Sequence, residues 1–168
     1  MIELRAFEPA DAATIVSWID GLDTLVTWSG SVGFTWPFDA GQLLGFQAAN
    51  PTRRFLVAAD AAGSPVGSLT LRPDSDHSVR LGLVLVSPAA RGRGHGRAMV
   101  EAALGTAFAD PGVPRVTLGV FAHNGGARRL YERLGFRQES VDERVTQVGD
   151  QWWSLVSMSL SRETWRGE

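Results

Sequence analysis

The stretch "SPAARGRGHGRAMV", residues 87–100, alternates arginine and glycine directly after an apolar run and directly before a helical pattern. Glycine frees the backbone and arginine brings positive charge, so the stretch has the makeup of an anion-holding loop. With a helix starting near Gly94, the N–H groups from Gly92 to Arg97 have no intrahelical acceptor and carry the positive end of the helix dipole. Gly92, Gly94 and Gly96 lack the Cβ atoms that would keep a phosphate from the backbone. Arg91, Arg93 and Arg97 can add charge-assisted hydrogen bonds. A diphosphate would use such a loop well.

The rest of the chain narrows the anion. Its 168 residues are expected to fold as one domain, 1–168, and 44% hydrophobic with 20% charged residues is ordinary globular composition. A formal net charge of −2 argues against a nucleic-acid partner, which usually demands a basic surplus. There is no cysteine, so disulfides, thiolate metal sites and a cysteine nucleophile are excluded. There is no lysine either, and all 16 basic residues are arginine, so a phosphate-binding P-loop with its lysine is excluded too. No metal site is expected. The opening "MIELRAFEPAD" has no apolar core of a signal peptide and no run approaches a membrane span, so a cytoplasmic protein with no membrane partner is the expectation.

Outward from the loop, "VRLGLVLV" (79–86) reads as a strand apolar enough to be buried on both faces. After the loop, Val100, Leu104 and Phe108 make a helical stripe with Ala103 and Ala107 beside it. "RVTLGVF" (115–121) is a second strand, parallel to the first and reached across that helix. Asn124 then caps a helix with the stripe Ala127, Leu130, Tyr131, Leu134. The segments 135–148 and 151–160 close the chain as two strands joined at "GD".

In the N-terminal half, "IELRAF" (2–7) reads as a strand. Pro9 and Asp11 open a helix with the stripe Ala12, Ile15, Val16, Ile19, whereas "WSGSVGFTWPF" (28–38) has no regular period. Asp39 and Gln42 resemble a capping box for a helix that Pro51 ends. Residues 54–60 and 65–72 read as strand, turn, strand. The whole is a mixed α/β fold: about four helices and a six- to seven-stranded sheet with a parallel pair at its centre. Ligands in such sheets sit at the carboxyl ends of neighbouring parallel strands, where the Arg/Gly loop falls.

Three alternative roles compete for the loop. A dinucleotide-binding turn would need G-x-G-x-x-G, which is absent. An RNA-binding arginine–glycine segment would be a disordered repeat, not a single loop between two patterned elements. The third is a plain strand-to-helix turn with incidental arginines.

Residues Arg91-Gly92-Arg93-Gly94-His95-Gly96 match the R/Q-x-x-G-x-G/A signature of the GNAT superfamily of acetyltransferases. Residues 120–136, "VFAHNGGARRLYERLGF", resemble its N-x-x-A-x-x-x-Y-x-x-x-G-F element. The two blocks stand in the family's order, and the strand and helix pattern agrees over residues 2–160. The resemblance implies a GNAT fold with two splayed parallel strands and an acetyl-CoA-dependent N-acetyltransferase acting on a primary amine of a small molecule or peptide. It implies that Val84, Leu85 and Val86 pair with the pantetheine arm of acetyl-CoA. It also implies that Arg91 through Arg97 bind the pyrophosphate, that Asn124 lies near the cofactor arm, and that Tyr131 is the catalytic acid beside the thioester sulfur. Packing in the helical stripe is the competing role for Tyr131.

Protein N-terminal acetyltransferases that the chain resembles carry a glutamate where it has Gly119. The base is therefore left among His123, Asp20, Asp23 and water. The same gap favours the alternative of a non-catalytic acetyl-CoA-binding sensor or regulator. The resemblance places acceptor specificity in residues 21–38 and near 145–152, with Trp28, Phe34, Trp36 and Phe38 either walling a pocket or packing the core. No acidic cluster marks a polycationic acceptor. A homodimer is left open, and "QWWSLVSMSL" suits either an edge or a buried strand.

Overall fold

The structure, a computed structural model, describes residues 1–165 and 167. Its strands are β1 (Glu3–Ala6), β2 (Arg54–Ala59), β3 (Pro65–Pro73), β4 (Val79–Val86), β5 (Arg115–Phe121), β6 (Arg137–Val148) and β7 (Gln151–Ser161). Its α-helices are α1 (Asp11–Ser17), α2 (Leu22–Ser29), α3 (Ala40–Ala49), α4 (His95–Phe108) and α5 (Gly125–Arg133). The strands form one sheet in the order β1-β2-β3-β4-β5-β7-β6, antiparallel everywhere except at β4–β5.

That parallel pair decides the architecture. β4 and β5 meet only at Val79↔Val116 and Arg80↔Thr117 and then part, while β5 pairs with β7 along its whole length from Arg115↔Ser161 to Phe121↔Leu155. The sheet therefore splits into two wings, open toward the carboxyl ends of β4 and β5. Between the registers Ser68↔Leu85 and Thr70↔Gly82, β4 spends three steps where β3 spends two. The extra residue makes a bulge, and Leu83 takes a positive φ of 49° there.

The bulge revises the expectation of a strand buried on both faces. In β4 the odd positions Leu81, Leu83 and Leu85 are buried, whereas Arg80, Gly82, Val84 and Val86 are half-buried. Leu81 belongs to the main core beneath α4, whereas Leu85 belongs to a second core beneath α1–α3. One added residue transfers the later odd positions to the opposite face, as the two-residue period of a strand requires.

The helices cover both faces. On α4, Met99, Val100, Ala103, Leu104, Ala107 and Phe108 are buried in the main core with β3, β4, β5 and β7 residues. α1, α2 and α3 bring Ile15, Leu25 and Leu43 to Phe7, Val57 and Phe38 in the second core. Among the described residues there is one α-helix beyond the expected four. α2 begins in unassigned sequence and takes in Trp28 and Ser29 of the segment read as irregular, because Thr and Val are weak helix formers and obscure the pattern that buries Leu25. The expected capping box at α3 is half formed. Asp39 Oδ1 accepts from Gln42 N at 2.9 Å, but the Gln42 side chain turns to Thr35 and Pro37. β7 lies inside the sheet, and the charged, mostly exposed β6 forms the edge.

At the other end of the sheet Asp11 ties β1 to α1. It accepts two hydrogen bonds from the Arg5 guanidinium, each 2.8 Å, and one from Glu8 N–H. The Arg5 hydrogen bonds hold its carboxyl below the ordinary carboxylate range, against the opposing effect of burial. A depressed folded-state pKa adds stability that is present above the unfolded value and lost as pH falls through the folded one. Asp11→Ala is expected to cost about 1–2 kcal/mol near neutral pH. In urea denaturation the gap between variant and wild type should narrow as pH falls below the ordinary aspartate value of about 3.9 and on through the lower folded-state one. No helix of the described residues is long and apolar enough to cross a membrane.

Candidate active site

The fork between β4 and β5 opens into a cavity of about 960 Å³. Its walls come from β4, β5, the loop after β4, the first turn of α4, the start of α5, and α2. Val84, Leu85 and Val86 line it along the splayed strand. Arg91, Gly92, Gly94, His95 and Gly96 line it at the loop, and Asn124 and Tyr131 line the α5 side. Two residues expected at the anion site are absent from the wall. Arg93 is exposed, and Arg97 extends along α4 to pair with Glu101 at 2.8 Å.

The loop is shaped by its glycines. Gly92 (φ 75°) and Gly94 (φ 80°) occupy the left-handed region, and a Cβ at either position would meet nothing within 4 Å. Glycine is thus present there for backbone conformation, and the space beside it is open. Gly94 is the N-cap of α4 and supplies no capping side chain, so the first N–H groups of a fourteen-residue helix stay available. Gly96 has a different cause: a Cβ would lie 3.4 Å from Val86 Cγ2 and 3.7 Å from Leu130 Cδ2, where α4 packs against β4 and α5. Arg91 bends back, its Nε donating to Val86 O at 3.3 Å.

Asn124 and Tyr131 are set by α5. Asn124 Oδ1 accepts from Ala127 N at 3.4 Å, which fixes the helix start beside the cavity. Tyr131, two turns on, is buried with its ring edge-on to Phe136 at 5.7 Å between centroids. Desolvation pushes its phenol well above the ordinary tyrosine value. It is both a core residue and a cavity residue, so the two roles weighed for it are compatible.

The candidates for a base separate clearly. Asp23 is the one carboxylate among the lining residues. Asp20 is not in the wall and accepts from Thr24 Oγ1 at 2.6 Å. His123 lies outside the wall, against Trp153 at 4.5 Å and Phe121 at 5.8 Å. At Gly119 a Cβ would approach Arg80 Nη2 to 2.9 Å, so a guanidinium fills the space beside that glycine.

Of the four aromatics considered for an acceptor pocket, only Trp28 reaches the cavity. Phe34 and Phe38 pack with it and with each other in the second core, and Trp36 is exposed. Residues 145–152 do not reach the wall, to which that hairpin contributes Leu155. Three lining residues carry no signal in the sequence: Arg53, Arg72 and Arg80. Arg72 and Arg80 sit in antiparallel strands as register partners, a pairing visible only once the strands are aligned. Among the described residues no group of acids and histidines could hold a metal ion.

The family model for the acetyltransferase (GNAT) family matches residues 20–136. A mycothiol acetyltransferase of Beutenbergia cavernae is 37% identical over 92 residues, covering 55% of this chain and 31% of the relative. The corresponding protein of Gordonia bronchialis is 36% identical over 114 residues, 66% of this chain and 32% of the relative. The chain thus spans about a third of the length of these curated relatives. The crystal structure of a spermidine N-acetyltransferase from Vibrio cholerae in complex with CoA and spermine superposes with a TM-score of 0.83 at 21% identity, over 97% of this chain and 96% of that one. At that identity the likeness establishes the fold. With both sequence blocks placed on one cavity and a family model covering most of the chain, this protein belongs to the GNAT acetyltransferase family.

Proposed function

We propose that the chain is an acetyl-CoA-dependent N-acetyltransferase that serves a primary amine by direct attack. The observation that carries this is the convergence of the glycine loop, the bulged strand and the buried Tyr131 on one cavity at the fork of β4 and β5. Its match to mycothiol acetyltransferases supports acetyl transfer, while their acceptor is not carried over to a chain a third of their length. The cytoplasm, which supplies acetyl-CoA, is the proposed compartment.

The residues fit the cosubstrate. Open space beside Gly92 and Gly94 admits a pyrophosphate to the amides at the α4 N-terminus, and Arg91 adds charge at its rim. Val84, Leu85 and Val86 offer a strand edge, unpaired on the β5 side, to the pantetheine arm. Bound acetyl-CoA supplies an activated acetyl group. The bulge at Leu83 takes β4 out of register with β3, which frees a backbone N–H near the fork to meet the acetyl oxygen as negative charge develops. Tyr131 holds its proton throughout the physiological range, because burial disfavours the phenolate, and gives it to the departing sulfur. Asp23, alone among lining residues, offers a carboxylate for the proton that the amine loses.

Thermal unfolding tests the first step. Acetyl-CoA at about 100 times its Kd should add about 2.7 kcal/mol. For a chain of this size that is a rise in Tm of roughly 5–10 °C. RNA should give none. No shift with acetyl-CoA would remove the proposal. A shift without thiol release across an amine panel would favour a sensor, the role that the missing carboxylate at Gly119 suggests.

A further inference from the structure

The cavity has a second charged end. Arg53, just before β2, Arg72 on β3 and Arg80 on β4 line it together, below the bulge. From Arg80 to Val86, where the anion loop begins, β4 runs about 20 Å. These arginines are therefore remote from the pyrophosphate site.

Their placement is specific. A Cβ on Gly82 would lie 3.4 Å from Arg53 Nη1, and one on Gly119 would lie 2.9 Å from Arg80 Nη2. Two glycines, one on each strand of the fork, thus leave room for two guanidinium groups on its floor. Arg53 is anchored by Thr70 Oγ1 at 3.1 Å and by the Phe46 ring at 5.2 Å, yet its Nε is buried without a hydrogen-bond partner. Arg72 pairs with Asp74 at 3.7 Å, whereas neither Arg53 nor Arg80 is in an ion pair with a described residue. Burial and the neighbouring arginines pull both guanidinium groups below their ordinary range. Three cations gathered in a partly buried cleft repel one another and lose hydration, a cost that a bound anion would relieve.

We propose that Arg53, Arg72 and Arg80 form the acceptor subsite and that the acceptor is a primary amine carrying an oxyanion, either a carboxylate as in an α-amino acid or a phosphonate. The assignment rests on the transferase reading above. Guanidinium forks match either oxyanion in geometry. The oxyanion lies on the floor at Gly82 and Gly119, and the amine points up the fork toward the bulge and Tyr131. Trp28, Leu118 and Leu155 supply apolar wall for the remainder of the acceptor. A polyamine such as spermidine would meet the same three cations and be repelled.

The experiment compares matched acceptors in a thiol-release assay: L-leucine, L-methionine and L-phenylalanine against their carboxamides, 2-aminoethylphosphonate against ethanolamine, and spermidine. In parallel, calorimetry measures binding of each compound to the CoA-loaded protein. Each oxyanion amine that is a substrate should exceed its neutral counterpart in kcat/KM by at least about tenfold, the scale of one charge-assisted hydrogen bond. Preference for the amino acids or for the phosphonate identifies the source of the oxyanion. Arg80→Gln and, separately, Arg53→Gln should collapse the ratio through KM, with acetyl-CoA affinity unchanged. Arg53→Lys should restore part of it. Equal rates for charged and neutral partners, a preference for spermidine, or a ratio that survives both glutamine variants overturns the assignment. So does a protein that binds acetyl-CoA but neither binds nor acetylates any oxyanion probe. Oxyanion binding lost in the arginine variants, but with no thiol release, would sustain the subsite and overturn the transferase reading instead.

Discussion

Tyr131→Phe is expected to lower kcat by about 10²–10⁴-fold, the range typical of a lost general acid, while leaving the acetyl-CoA dissociation constant within about twofold. The split follows from where the side chain sits. Its ring packs edge-on to Phe136, a contact that phenylalanine keeps, and no group among the described residues engages its hydroxyl in a hydrogen bond. Folding should therefore be unaffected, which calorimetry can verify. What the variant loses is a proton held beside the cavity. Burial raises the phenol above its ordinary value, so Tyr131 remains protonated as pH rises past the point where a solvated tyrosine ionises. The basic limb of the wild-type pH–rate profile should consequently not report Tyr131. Full turnover in the phenylalanine variant would leave Tyr131 as a packing residue only.

Gly94→Val should act on the opposite term. Gly94 has φ 80° and forms the N-cap of α4. A β-branched residue is a poor fit to that conformation, at a cost of about 1–3 kcal/mol. The backbone can relax only by re-aiming the amides of the first turn. The valine side chain would in addition enter the open space beside the loop. Losing two charge-assisted hydrogen bonds to a pyrophosphate, at about 1.5–3 kcal/mol each, predicts an acetyl-CoA affinity at least about a hundredfold weaker. Dephospho- and full-length acetyl-CoA should be weakened alike, and turnover at saturating cosubstrate should recover. Gly105, within α4 with nothing near its Cβ position, provides the control: Gly105→Ala should leave affinity unchanged.

The glycine loop was legible in sequence because its physics is local. Alternating Gly and Arg between an apolar strand and a helical stripe specifies backbone amides at a helix start, and α4 begins at His95 as that pattern requires. The helix carrying Asn124 and Tyr131 and the closing hairpin through Gly149 and Asp150 were legible for the same reason. The bulge at Leu83 was not. "VRLGLVLV" is apolar at nearly every position, so a one-residue change of register leaves no mark in its pattern. The arginine floor was hidden by distance: Arg53, Arg72 and Arg80 come from separate strands or strand ends, and only the register Arg72↔Arg80 and the gaps at Gly82 and Gly119 bring them together. The aromatic run from Trp28 to Phe38 misled because aromatic residues suit a pocket wall and a core equally well. Here most of them close the second core.

Whether the fork between β4 and β5 transfers an acetyl group from acetyl-CoA to an amine is decided by mass spectrometry of the amine. The amine is incubated with the protein and acetyl-CoA, and thiol release is followed alongside. An N-acetylated amine should form in step with free CoA, and Tyr131→Phe should slow it greatly. Thiol release without acetylated amine, or product formed equally well by Tyr131→Phe and Gly94→Val at limiting acetyl-CoA, would contradict acetyl transfer at this fork.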